Sequence, residues 1–342
     1  MPEPACLVYG RCGGCQYQHL SYDEELRLKD KAARHLLAPT LGAEVRVLSI
    51  MPSPKIYHYR NRLDLKLVKT RNKEIQVGFS PLEAGPILEI AACPIAMEQI
   101  SNFIPELRRR AIETLPPGYR MANLTVRCGD GPAVHWGGIG EKSLRLEAGD
   151  YFYTDIAGQR IFFSLDSFFQ ANLSILPDLR ATLRAFPVWS KKAVFFDLYG
   201  GVGLFSLWVH DLVLRAVNIE ENIHAVRLAR HNIALNKLPN VVAVGGRVEN
   251  IFPEVLKKIS GEDHVVMVDP PRGGLSDEAV RFLNTIEKVR HLIYLSCNPE
   301  TLVSNLGGLT QRAWRVRSVQ PFDFFPRTRH LETLVLLERT SA

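Results

Sequence analysis

"AVFFDLYGGVGLFSLWVH", residues 193–210, sets a short apolar run against a turn holding three glycines, with a second apolar segment behind it. The run is too short for a helix and reads as a buried strand, followed by a tight turn and a helix. The same alternation continues downstream. "LVLRAVNIE" (212–220), "NVVAVGG" (240–246), "DHVVMVDPP" (263–271) and "HLIYLSC" (291–297) read as strands. Between them lie the helical stretches "ENIHAVRLARHNIALN" (221–236), "RVENIFPEVLKKI" (247–259) and "SDEAVRFLNTI" (276–286). Buried strands alternating with amphipathic helices predict a doubly wound parallel α/β sheet. The close differs: "AWRVRSVQPFDFFP" (313–326) and "LETLVLLER" (331–339) read as two strands joined by an aromatic loop.

Upstream, residues 19–38 read as one helix. Residues 55–165 hold strand-like pieces between Gly and Pro turns, with a helical stretch near 95–114. The expected fold class is therefore α/β, Rossmann-like, with a second β-rich central domain. A chain of 342 residues is long for one domain and predicts two. At 46% hydrophobic and 23% charged it has the composition of a globular protein with a sizeable core. No run of 18 apolar residues occurs, which argues against a membrane span. The start, "MPEPACLVYGRCGGC", lacks the basic and apolar regions of a signal peptide. The expectation is a cytoplasmic monomer in a reducing compartment. A net charge of +6 is compatible with a nucleic-acid partner and is weak support alone.

In such a sheet, ligands bind beyond the carboxyl ends of the strands. Asp197, Glu220, Asp269 and Cys297 each end a predicted strand, so four polar groups share one rim. Glu220 is placed to accept the ribose hydroxyls of an adenosine. The glycine turn lacks the third glycine of a dinucleotide fingerprint and has an acid before it. A carboxylate there repels a pyrophosphate and suits a cationic ligand such as S-adenosylmethionine.

Six stretches resemble the RNA uracil-C5 methyltransferases, which make 5-methyluridine in rRNA and tRNA. They are "SFFQANLSI" (167–175), "DLYGGVGLFSL" (197–207), "VNIEENIHAV" (217–226), "VDPPRGGL" (268–275), "YLSCNPETL" (294–302) and "FDFFPRTRHLETLVLL" (322–337), in family order. The resemblance implies Cys297 as nucleophile and Glu332 as base. It assigns Gln170, Tyr199, Glu220 and Asp269 to the donor, S-adenosyl-L-methionine. Members commonly carry Asn where this chain has Leu204, which puts one methionine-side contact in doubt. The chemistry fits: C5 of uracil attacks a methyl sulfonium only after a thiolate has added to C6. A base must then remove the C5 proton. An RNA cytosine-C5 enzyme would place a second Cys in the "DPP" motif, and an adenine-N6 enzyme prefers an aromatic where Arg272 stands. A non-catalytic iron–sulfur RNA-binding protein is a further alternative, against which Cys297 and Glu332 both stand.

Cys6, Cys12, Cys15 and the distant Cys93 have the spacing of a metal centre, open by itself to an iron–sulfur cluster, zinc or a disulfide. The family resemblance implies a [4Fe-4S] cluster at these four, in a 23S rRNA type of enzyme without the N-terminal TRAM barrel that many relatives carry. A tRNA enzyme is the alternative. The resemblance further implies a central RNA-binding domain with the cluster (1–17 and 50–166), a crossover helix (18–49) packing on the catalytic domain, and a methyltransferase domain (167–342). RNA contact is expected from Arg60, Arg62, Lys66, Lys69, Arg71 and Lys73, with Tyr57, His58 and Tyr59 as stacking partners for unpaired bases. Phosphate contact is expected from Arg327, Arg329 and His330.

Overall fold

The structure is a computed structural model and describes residues 2–42, 45–70, 72, 74–114, 120–138, 151–260 and 263–340. Arg71 and Lys73 lie outside the described residues.

The chain begins with an irregular cysteine-bearing loop and then α1 (Tyr22–Leu37). Ser21 and Glu24 close a reciprocal capping box at its start, satisfying two backbone donors that a helix end leaves unpaired. A short strand β1 (Arg46–Val47) follows. Next come β2 (Arg62–Lys69), β3 (Ile75–Phe79), β4 (Leu88–Glu89), α2 (Glu98–Thr114), β5 (Met121–Cys128) and β6 (Val134–Gly138). These strands form a five-stranded antiparallel sheet in the order β4-β3-β2-β5-β6. The period-two alternation in β2 buries Leu63, Leu65 and Leu67 on one face, where they meet Ile100, Ile104 and Leu107 of α2.

A hairpin, β7 (Tyr151–Ile156) and β8 (Gln159–Ser164), pairs only with itself among the described residues. The expected division at residue 166 assigns this hairpin to the β-rich part. Its buried side chains Phe152, Ile156, Ile161 and Phe163 instead share a core with the C-terminal half. Asn232 of a later helix holds it, accepting from the Phe162 N–H at 2.8 Å and donating to the Phe162 carbonyl at 2.9 Å. Alternation marks one face of a hairpin as apolar; it does not say which core covers that face.

The remaining elements alternate: α3 (Leu176–Arg184), β9 (Val194–Leu198), α4 (Leu204–Val209), β10 (Arg215–Glu220), α5 (Ile223–Leu235) and β11 (Val241–Gly245). They continue with α6 (Val248–Lys258), β12 (His264–Val268), α7 (Asp277–Thr285), β13 (Val289–Ser296), α8 (Pro299–Thr310), β14 (Trp314–Phe322) and β15 (Glu332–Arg339). With β1 they build an eight-stranded sheet in the order β1-β14-β15-β13-β12-β9-β10-β11. The centre is parallel and β15 runs antiparallel between β13 and β14. Strands β9 and β12 are buried along their whole length because helices cover both faces, which explains their unbroken apolar runs. The doubly wound α/β fold expected from the sequence is the observed one. Segment 18–49 crosses to this sheet: Leu37 enters the core behind β14, and β1 adds to its edge. Among the described residues no helix is long and apolar enough to cross a membrane.

Candidate active site

The carboxyl ends of the parallel strands present Glu220 (β10), Asp197 and Tyr199 (β9), Asp269 (β12) and Cys297 (β13) side by side. The antiparallel β15 brings Glu332 to the same edge. Its register pairs Ser296 with Thr333, so one further step sets Cys297 beside Glu332. These two residues are 35 apart in sequence, and the pairing alone makes them neighbours.

Cys297 sits on a turn that its flanking residues hold. The Asn298 N–H donates to Ser296 Oγ at 3.2 Å, and Asn298 Oδ1 caps α8 by accepting from the Glu300 N–H. Pro299 occupies the first helical turn, where a missing N–H costs nothing. Asn298 Nδ2 and Thr301 Oγ1 both donate to the Arg272 carbonyl, at 3.2 and 3.3 Å. The Ser-Cys-Asn-Pro motif thus fixes the cysteine and clasps the loop after Asp269.

Three acids and a thiol crowd this edge, and burial dominates their titration. Glu332 is 4% exposed and its Oε2 has no hydrogen-bond partner. Burial, then repulsion from Asp269, raises its pKa well above the ordinary carboxylate value, while Arg272 opposes. Asp269 keeps some surface open to the rim, yet its dense surroundings and then Asp197 push it up to about 8. The Cys297 thiol is pushed up to about 11 by burial, then by Glu332 and Asp269, again opposed by Arg272. Arg272, exposed on the loop after Asp269, is the group the sequence reading undervalued. It is the cation felt by both Cys297 and Glu332, and the only available signal was its place after the two prolines.

The neighbouring part of this rim is built from the glycine turn. Gly200 has no room for a side chain: a Cβ would lie 2.0 Å from Asn218 Nδ2 and 2.9 Å from Asp197 Cγ. Gly201 adopts φ 53° and its N–H donates to Glu220 Oε2 at 3.0 Å. Asp197 is fully buried, accepts from Ser206 N–H and Oγ at 2.9 Å, and is pushed up to about 7 by burial. Gln170 Nε2 donates to Asp269 Oδ2 at 3.1 Å. Tyr199 turns toward α6, donating to Glu249 Oε1 at 3.3 Å, and lines a cavity of about 380 Å³ with Val248, Leu275 and Phe282. Leu204 is buried at the start of α4, so its side chain faces the core and not the rim.

The segment carrying Gln170 is anchored by the five-stranded sheet. Arg127 is fully buried and donates to the carbonyls of Ser164, Ser167 and Phe169 at 2.7, 2.6 and 3.1 Å. Burial lowers its pKa to about 9. Asn61 Nδ2 donates to the Gln170 carbonyl.

Two expectations about RNA contact are corrected. Arg327 is 6% exposed and turns inward to Glu25, so it is not free for phosphate; Arg329 and His330 remain exposed. Tyr59 is 1% exposed with its hydroxyl on the Pro326 carbonyl, and Tyr57 lies under the Arg327 guanidinium at 4.9 Å. Tyr59 offers no free face to a base, whereas Tyr57 is half-buried and His58 is exposed. On β2, Lys66 points outward and Arg62 pairs with Asp64 at 3.0 Å.

Cys6, Cys12, Cys15 and Cys93 line one cavity of about 150 Å³ together with Arg60, Phe79 and Ile90. All are free thiols. Burial pushes Cys15 up to about 12 and Cys93 to about 11. Among the described residues no three His, Cys, Asp or Glu side chains form a ligand group for a single metal ion. Cys128, the remaining upstream cysteine, is buried against Met97 in the β-rich core.

The family described as tRNA (Uracil-5-)-methyltransferase matches residues 153–340. The chain is 31% identical to the tRNA (uracil(54)-C(5))-methyltransferase of Pyrococcus horikoshii over 97% of its own length and 85% of that protein. It is 27% identical to an uncharacterised RNA methyltransferase of Caldanaerobacter subterraneus, covering 99% of this chain and 85% of that one. The crystal structure of Pyrococcus abyssi tRNA (uracil-54, C5)-methyltransferase with S-adenosyl-L-homocysteine superposes with a TM-score of 0.71 at 24% identity, over 96% of this chain and 86% of that one. The chain belongs to the RNA uracil-C5 methyltransferase family. It is an RNA methyltransferase that acts on C5 of uracil.

Proposed function

We propose that this chain transfers the methyl group of S-adenosyl-L-methionine to C5 of one uridine in RNA, with Cys297 as nucleophile and Glu332 as base. The observation that carries this reading is the β13–β15 register, which sets a thiol beside a buried carboxyl with an unpaired oxygen. Cys297 adds to C6 as the thiolate, leaving C4–C5–C6 as an enolate. C5 then takes the methyl group, which the sulfonium supplies. Glu332 removes the C5 proton, and the electron pair of that C–H bond expels the thiolate. Its raised pKa makes the Glu332 carboxylate a stronger base once it is ionised. Gln170, Tyr199, Glu220 and Asp269 bind the donor, with Glu220 on its ribose. The uracil reaches Cys297 only if it leaves its stack.

We further infer a [4Fe-4S] cluster held by Cys6, Cys12, Cys15 and Cys93. Four thiols lining one cavity suit a shared metal centre, and their C-x5-C-x2-C plus distant Cys pattern resembles the family's cluster set. Such a cluster would cross-link the loop 6–15 to Cys93; the methyl transfer needs no electron from it. The target expected from the cysteine set is 23S rRNA, with the protein acting as a monomer. A tRNA target is the second reading, favoured by the name of the Pyrococcus horikoshii relative.

The test combines chemistry and mapping. Cys297→Ala should form no covalent RNA adduct and transfer no methyl group. Glu332→Gln should accumulate a methylated RNA–protein adduct that survives denaturing electrophoresis. Retained methyl transfer by Cys297→Ala would overturn the mechanism. Mass spectrometry of 5-methyluridine in rRNA and tRNA, with and without the protein, decides the target. Anaerobically purified protein should carry about four iron and four sulfide per chain, and one zinc would refute the cluster.

A further inference from the structure

The loop that leads into Glu332 is held from the cysteine site. Gln16, next to Cys15, bridges the two through its side-chain amide. Its Nε2 donates to the Gly13 carbonyl at 2.8 Å, inside the cysteine loop, and its Oε1 accepts from the Arg329 N–H at 3.1 Å. The N–H groups of Gln16 and Tyr17 both donate to the Arg327 carbonyl, at 2.9 and 3.0 Å. The other side of the cysteine site joins the same loop. Cys93 lies just before Pro94 and Ile95, whose carbonyls accept from the His58 and Tyr59 N–H groups, and the Tyr59 hydroxyl holds the Pro326 carbonyl.

Arg327 has φ 69°, a left-handed backbone that a non-glycine residue keeps only when its surroundings enforce it. The enforcing contacts come from residues 16–29. The Arg327 N–H donates to Glu25 Oε1 at 2.6 Å, and Lys29, 2% exposed, bridges Glu25 and Asp323 at 2.7 Å each. Lys29 also donates to the Phe325 carbonyl. Loop 323–331 is therefore a strained segment whose shape is imposed by the N-terminal segment.

We propose that Gln16 is a positioning residue for the catalytic base: it couples the cysteine loop to loop 323–331 and so sets the placement of Glu332 against C5 of the bound uracil. The proposal rests on the reading of Glu332 as base. It gives the cysteine site a part in the proton-abstraction step without any electron transfer, because what passes between the two sites is backbone geometry. Whatever holds the four cysteines together then stiffens the loop that leads into the base.

The test uses the full chain as purified, with iron and sulfide measured for each variant. Gln16→Ala removes both amide bridges, whereas Gln16→Glu keeps an oxygen for the Arg329 N–H. Gln16→Ala should lower kcat about tenfold, as a small misplacement of a catalytic group does, with the KM for the donor unchanged. It should also raise the share of enzyme trapped as methylated RNA adduct, because addition proceeds while elimination lags. Gln16→Glu should restore part of the loss. Hydrogen exchange of the 323–331 amides should quicken in Gln16→Ala. Unchanged exchange and an unchanged adduct share would overturn the proposal, as would addition and elimination slowing together. If the Glu332→Gln control gathers no adduct, the base assignment is what fails, and the exchange measurement alone then decides whether Gln16 braces the loop.

Discussion

If Asp269 meets the sulfonium of the donor, donor affinity must rise with pH across the neutral range. Burial and the neighbouring Asp197 push the Asp269 pKa up to about 8, so at pH 6 its carboxyl is almost wholly protonated. A sulfonium cation interacts favourably with the carboxylate, not with the neutral acid, so binding must first remove the proton. With a pKa of about 8, about 1% of the group is ionised at pH 6 and about half at pH 8. The affinity should therefore rise about 50-fold over that interval, or about 2.3 kcal/mol. The sign follows from linkage: the free protein holds more protons than the complex, so raising pH favours the complex. Titration calorimetry at pH 6, 7 and 8, in two buffers of different ionisation enthalpy, reads both the affinity and the protons released. S-adenosylhomocysteine supplies the control, since it shares every other group and lacks the sulfonium charge. Asp269→Asn should flatten the methionine-donor curve toward that of the homocysteine product. Equal slopes for the two ligands, or no proton release, would refute the placement of the sulfonium at Asp269.

Other expectations follow from the same geometry. Glu220→Ala should weaken donor binding by ~1–3 kcal/mol, the cost of losing hydrogen bonds to a charged group, and calorimetry would read it directly. With a thiol pKa of about 11, the thiolate fraction of Cys297 grows about tenfold per pH unit below that value. The rate of adduct formation with 5-fluorouridine RNA should climb accordingly between pH 6 and 9, and a plateau below pH 8 would speak against it. Lys29→Ala should destabilise the fold by about 3–5 kcal/mol in chemical denaturation, because it strands Glu25 and Asp323 as buried acids without their cation.

Much of this arrangement was legible in the sequence because parallel sheets write themselves plainly. A strand buried on both faces is an unbroken apolar run, and the residue ending it faces the ligand edge. "VFFDL", "RAVNIE", "HVVMV" and "HLIYLS" therefore delivered Asp197, Glu220, Asp269 and Cys297 to one rim before any coordinates. Glu332 needed the family resemblance, since its neighbour lies across an antiparallel pairing that no local pattern announces. What stayed hidden were contacts at long range. "YDEELRLKDK" reads only as part of a helix, yet Lys29 is buried with Asp323, 294 residues away, as its partner.

The misread residues share one cause. Tyr59 and Arg327 carry the chemistry of an RNA contact, and in isolation an aromatic in a basic stretch and an arginine near Glu332 both point to nucleic acid. Tyr59 and Arg327 instead serve the joint between the cysteine site and loop 323–331, where a hydroxyl, a guanidinium and a buried lysine satisfy backbone and carboxylate groups that would otherwise be stranded. Polar residues near a site can hold its shape as well as touch a substrate, and residue type does not separate the two roles. Burial does. Arg272, exposed and felt by Cys297 and Glu332 alike, stays open to solvent at the rim, while Arg327, equally basic and five residues from Glu332, is committed to the scaffold.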